Sequence, residues 1–105
     1  MWKSVTGLLL MMAVISPARA ASPSELRGRT FASNNCSRCH TIDRVGPSPL
    51  AVAPPFRELH RRYPIETLSE AFAEGIYTGH PTMPAFQLDQ DQINDLLAFL
   101  KSLEH

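Results

Sequence analysis

Tryptophan and lysine are nearly missing from this chain, and cysteine is scarce. Among 105 residues, only Trp2 is a tryptophan, only Lys3 and Lys101 are lysines, and only Cys36 and Cys39 are cysteines. No second cysteine pair and no closely spaced pair of histidines stands elsewhere. A four-ligand structural zinc site is therefore incomplete. Beyond residue 20, eight basic residues face ten acidic ones. That balance excludes general nucleic-acid binding, which needs a clear basic excess. The local cluster Arg57, Arg61 and Arg62 reads as a solvated helix face. Long apolar runs are missing too. The longest, Gly7 to Ile15, has nine residues, where a bilayer span needs roughly twenty.

That run has a different meaning. It follows a short basic start, Met1-Trp2-Lys3, and precedes Ala18-Arg19-Ala20, with small residues at the two positions that signal peptidase inspects. Residues 1–20 are predicted to be a cleaved secretory signal and 21–105 the exported domain. An uncleaved anchor is the alternative. No cysteine follows the run to carry a lipid. The remaining segment is one small domain, whose core is marginal unless a metal, a disulfide or an embedded cofactor supports it.

No stretch reads as a strand, and the pattern predicts an all-α domain of three or four helices. Ser22 can cap the first, with Pro23 at its first position, Glu25 placed for a capping box, and Leu26 and Phe31 on its apolar side. It should lead through Asn34-Asn35 into Cys36. Residues 41–55 hold four prolines and a glycine and read as loop. Phe56, Leu59, His60 and Tyr63 follow at helical spacing until Pro64, then Leu68, Ala71 and Phe72 until Gly75. After a proline-rich stretch, Asp89 and Gln92 open the last helix, carrying Ile93, Leu96, Leu97, Phe99, Leu100 and Leu103.

Between the first helix and the loop stands CSRCH, Cys36 to His40. A redox dithiol would leave His40 without a role and belongs at the end of a strand in a mixed fold. A plain Cys36–Cys39 disulfide would close too small a loop to stabilise the domain much. A haem anchor uses all three side chains. Residues at i, i+3 and i+4 project to one side of a helical turn. Cys36 and Cys39 can each add across a vinyl group of the porphyrin, and His40 can reach the iron from the same side. Haem c is therefore the expected cofactor, and it would also support the small core.

An electron carrier needs a second axial ligand. Met1, Met11 and Met12 lie in the leader, so Met83 is the one methionine of the exported domain. Pro81 and Pro84 stiffen its loop, and a thioether on the iron raises the reduction potential. His80 is the competing ligand and would lower the potential; His60 reads as a surface or packing residue. Met83 as a simple loop residue over the core is the remaining alternative.

These features together resemble the small bacterial class I cytochromes c. The resemblance rests on GRTFASNNCSRCHT, VGPSPL, TMPAF and INDLLAFLKSL, in that order and over nearly the whole exported region. It implies that Gly28 lets the first and last helices cross closely, with Phe31 against Leu96 or Phe99. It implies that the carbonyl of Pro47 accepts the second ring N–H of His40. The chain departs from the family in two ways. With no tryptophan after Trp2, a haem-propionate contact must come from Tyr63, Tyr77 or an arginine. The lysine ring that some members use to dock partners is missing, so a mitochondrial-oxidase type of partner is not implied.

The function expected from all this is a periplasmic one-electron carrier, a monomer with no catalytic residues, exchanging electrons with a donor and an acceptor protein. Two alternatives stand beside it. One is a haem subunit of a larger respiratory dehydrogenase or oxidase. The other is a haem sensor or enzyme with a displaceable sixth ligand.

Overall fold

The computed structural model describes residues 4, 7–13, 20–75 and 82–105. Ala18 and Arg19 of the leader, and Tyr77, His80 and Pro81 of the methionine loop, lie outside the described residues. Among the described residues every regular element is helical. Helix α1 is Pro23–Asn35, α2 is Leu68–Glu74 and α3 is Gln90–Ser102, with 3₁₀ segments at Phe56–Arg61 and Ile65–Thr67. No helix among them is long and apolar enough to cross a membrane. Leu8, Leu9, Leu10, Met11 and Met12 are all strongly exposed and add nothing to the core.

The helix starts follow the capping chemistry. Ser22 Oγ accepts from the Glu25 N–H at 3.1 Å, with Pro23 placed where no N–H is needed. Asp89 accepts from the Gln92 N–H at 2.8 Å while the Gln92 side chain accepts from the Asp89 N–H at 3.1 Å. At the other end of α3, Arg44 donates to the Ser102 carbonyl, an acceptor that the helix leaves open, and to the His105 carbonyl beyond it. The segment carrying Phe56 and Leu59 winds as a 3₁₀ turn, and the i, i+3 spacing of that turn puts both residues in the core.

The domain is organised by the crossing of α1 and α3. The buried side of α1 is Gly28 and Ala32, with Phe31 packed half-buried against the core. Leu26, expected on that side, is 53% exposed. Small residues four apart let the backbones approach, and a leucine there would hold them apart. The approach at Gly28 is extreme: a Cβ built on it would lie 2.0 Å from the Asp95 carbonyl oxygen and 2.8 Å from Phe99 Cβ. Asp95 also locks the crossing by side-chain bonds. Its carboxylate accepts from Ser24 Oγ at 2.8 Å and from Arg27 Nε at 2.9 Å. Those bonds hold the Asp95 carboxyl below the ordinary aspartate range, the Arg27 hydrogen bond first and Ser24 second.

The core runs from this crossing through Ala32, Ile42, Phe56, Leu59, Ile65, Leu68, Leu96, Phe99, Leu100 and Leu103. Ile65, Ile93, Leu96 and Leu100 are its best-covered large side chains. Leu96 and Leu100, one turn apart on α3, also form part of the wall of a cavity.

Candidate cofactor site

CSRCH continues α1 as one more turn. Cys36 N–H donates to Ala32 O at 2.8 Å, and His40 N–H donates to Cys36 O at 3.0 Å. This bonding keeps Cys36, Cys39 and His40 at the i, i+3 and i+4 positions of a helical turn. Both cysteines are free, half-buried thiols, and burial pushes the Cys36 thiol up to about 11. The imidazole is held twice. Its Nδ1 donates to the Pro54 carbonyl at 2.8 Å, and its ring lies against Phe56 with centroids 4.9 Å apart. With the proton on Nδ1, the lone pair is on Nε2.

The acceptor is thus Pro54, and the expectation for Pro47 is corrected. The loop path explains the difference. Leu50 N–H bonds back to Cys39 O at 3.1 Å and Phe56 N–H to Thr41 O at 3.1 Å. Residues between these ties bulge outward: Gly46 turns at φ 94° and Pro47 is exposed at the tip. The return of the loop, with Pro54, is what lies beside the imidazole.

All three side chains line a cavity of about 860 Å³. Phe31, Phe56, Leu59, Leu68, Phe72 and Phe86 contribute to its largely apolar wall, with Leu96 and Leu100 from α3. Thr82, Met83 and Pro84 line it as well, so the expected second ligand is brought to the same space as His40. The loop bearing Met83 is closed at its base. Gly75 ends α2 at φ 74° and packs against Gln87, and Leu88 N–H donates to Phe72 O at 2.8 Å. His60 lines a different pocket, with Arg44, Arg57, Arg61 and His105, which agrees with its reading as a surface or packing residue.

A family model for cytochrome c matches residues 26–104, a span that takes in all four of the motifs noted in the sequence. The chain belongs to the cytochrome c family. It is also similar to a cytochrome c-552 of Bradyrhizobium diazoefficiens, at 30% identity over 98 residues and 92% of each chain. No solved structure matches it. As a class I c-type cytochrome it has the small all-α fold, carries covalently bound haem c with its iron, and is a haem-based electron carrier that works with redox partners.

The residues present fit that group. The cavity is large and apolar, its wall holds two free thiols and one imidazole with an uncommitted nitrogen, and a thioether shares the space. Sequence reasoning missed two contributors. Pro54 was one of several prolines in the loop and had no local mark. The Ser24–Arg27–Asp95 lock joins polar residues some 70 positions apart.

Proposed function

We propose that this cytochrome c is an exported one-electron carrier with His40 and Met83 as axial ligands. Cys36 and Cys39 are the attachment points. Their two free thiols would hold the haem covalently through thioether bonds to its vinyl groups. Haem c, when bound, supplies the one-electron couple. The chain orients and insulates it. Pro54 O holds the His40 Nδ1 proton, which fixes the ring and leaves Nε2 to face the iron. The apolar walls exclude water, and the Met83 thioether favours ferrous iron and raises the potential. Export by residues 1–20 and a periplasmic site of action belong to the same reading, supported by the basic start, apolar run and small-residue cleavage signal.

The observation that carries this reading is that Cys36, Cys39, His40 and Met83 all line one cavity. The test is an optical spectrum of protein expressed with its leader, reduced and oxidised, with and without carbon monoxide. A covalent low-spin haem indifferent to carbon monoxide is expected, and Met83→Ala should make the ferrous form bind it. Rapid binding by the unaltered protein would instead favour a sensor or enzyme, and an unchanged spectrum in Met83→Ala would remove Met83 from the iron.

A further inference from the structure

Attachment and ligation give no task to the aromatic ring that lies against the His40 imidazole. The backbone on both sides of His40 is held. Leu50 N–H donates to Cys39 O at 3.1 Å, Thr41 N–H to Ser48 Oγ at 3.2 Å, and Phe56 N–H to Thr41 O at 3.1 Å. What these ties leave open is the turn of the imidazole about its Cβ–Cγ bond. A torsion between a tetrahedral and a planar carbon is broad and two-fold, so it does not select one angle. The bond from Nδ1 to Pro54 O tethers one atom, but a carbonyl accepts over a wide range of directions. Stopping the swing takes a body against the face of the ring.

Phe56 is that body. Its ring centroid lies 4.9 Å from that of the imidazole at a tilt of 44°, inside the ~4.5–7 Å range of packed aromatic pairs. It has little room to yield, being only 7% exposed and part of the core. Tether and stop also belong to one short piece of chain, Pro54-Pro55-Phe56. The proline rings restrict φ there, with Pro55 at −55°, so Pro54 O and the Phe56 ring keep a constant spacing. Phe31, Phe72 and Phe86 line the same cavity, yet none of them makes a ring contact with His40 among the described residues. We propose that Phe56 is a positioning residue: Pro54 selects the nitrogen that faces the iron, and Phe56 sets the angle at which the imidazole plane stands. This rests on the reading in which His40 ligates the iron. The plane of an axial imidazole decides which of the iron's dπ orbitals it overlaps, and so where unpaired spin spreads over the macrocycle in the ferric state. A ring kept at one angle also need not turn when the iron gains or loses an electron.

The test uses the haem-loaded protein in its ferric cyanide form, with proton NMR of the ring methyls of the macrocycle. Cyanide takes the sixth position and is cylindrically symmetric, so the spread of those signals reports the imidazole angle whichever residue it displaces. The unaltered protein should give one wide pattern with shifts linear in reciprocal temperature. Phe56→Met keeps an apolar side chain of similar reach but removes the flat face. Its methyl shifts should be redistributed, with a curved temperature dependence as the ring samples a second angle. Phe99→Met is the control, since Phe99 is 3% exposed and lies outside the described wall of the cavity. It should lose stability and keep the parental pattern. A parental pattern in Phe56→Met, an equal change in Phe99→Met, or averaging between angles in the unaltered protein would each overturn the inference, and the last needs no variant to fold. Failure of the underlying reading looks different. Unaltered protein without covalent haem, or with no imidazole signal shifted by the iron, would remove His40 from the iron before any angle is compared.

Discussion

Replacing Gly28 by alanine sets two effects of opposite sign against each other. Alanine is the better helix former by about 0.8–1 kcal/mol, and at an open helical site it would stabilise. At Gly28 the new methyl carbon would meet the Asp95 carbonyl oxygen at 2.0 Å, the Asp95 carbonyl carbon at 2.6 Å and Phe99 Cβ at 2.8 Å. The first of these is roughly 1.5 Å short of an ordinary contact of ~3.5 Å. Two of the three atoms are backbone of α3, so no side-chain rotation relieves the clash. The helices must separate, which loosens Ala32 and Phe99 and stretches the Ser24–Arg27–Asp95 bonds. Overpacking of this kind costs about 1–3 kcal/mol when side chains can adjust, and a backbone obstacle puts Gly28→Ala at or above the upper end. Subtracting the helix preference leaves a net loss of about 2 kcal/mol or more. For a domain of this size that lowers Tm by roughly 8–16 °C. Thermal unfolding of the haem-loaded protein, followed by far-ultraviolet circular dichroism, measures it. A variant as stable as the parent, or more stable, would refute the close crossing.

Two further perturbations test other parts of the fold. Asp95→Asn removes the charge that Arg27 and Ser24 bind. Because the folded-state Asp95 carboxyl is depressed, its contribution is complete above the ordinary aspartate value of about 3.9 and is lost as pH falls through the folded value. Denaturant midpoints should therefore show the parent more stable at neutral pH, with the gap closing in acid; a gap independent of pH would contradict the assignment. Gly75→Ala forces a side chain into the left-handed region at φ 74°, 3.3 Å from Gln87 Cβ, at a cost of about 1–2 kcal/mol. Since Gly75 closes the base of the methionine loop, carbon monoxide should bind the ferrous variant faster than the parent, and equal rates would detach that base from Met83.

What was legible in the sequence was mostly local. The Asp89–Gln92 box and the leucine spacing of α3 act within a turn or two, and the structure follows them. Ser22 starts α1 for the same reason. That the three side chains of CSRCH would share one turn was readable from their spacing, and Met83 stood out as a candidate because no other methionine follows residue 20; that all four line one cavity was not readable. Gly28 needed the family resemblance, since a small residue in a helix does not say which partner it admits. The choice between Pro47 and Pro54 was not legible: it depends on how a proline-rich loop returns over His40, which the ties of Leu50 and Phe56 decide. Leu26 misled for a related reason, because the α1 face that turns inward is chosen by how closely α3 can approach.

The crossing of the first helix with the last also ties the completion of the cavity to the docking of its two ends. Chain synthesis runs from the N-terminus, so α1 and both thiols emerge well before α3. Leu96 and Leu100, which wall the cavity, belong to that later helix. Until they dock, the cavity that Cys36 and Cys39 line lacks the wall that α3 supplies. Docking of the last helix on the first is therefore also the step that completes the enclosure of whatever the two thiols hold.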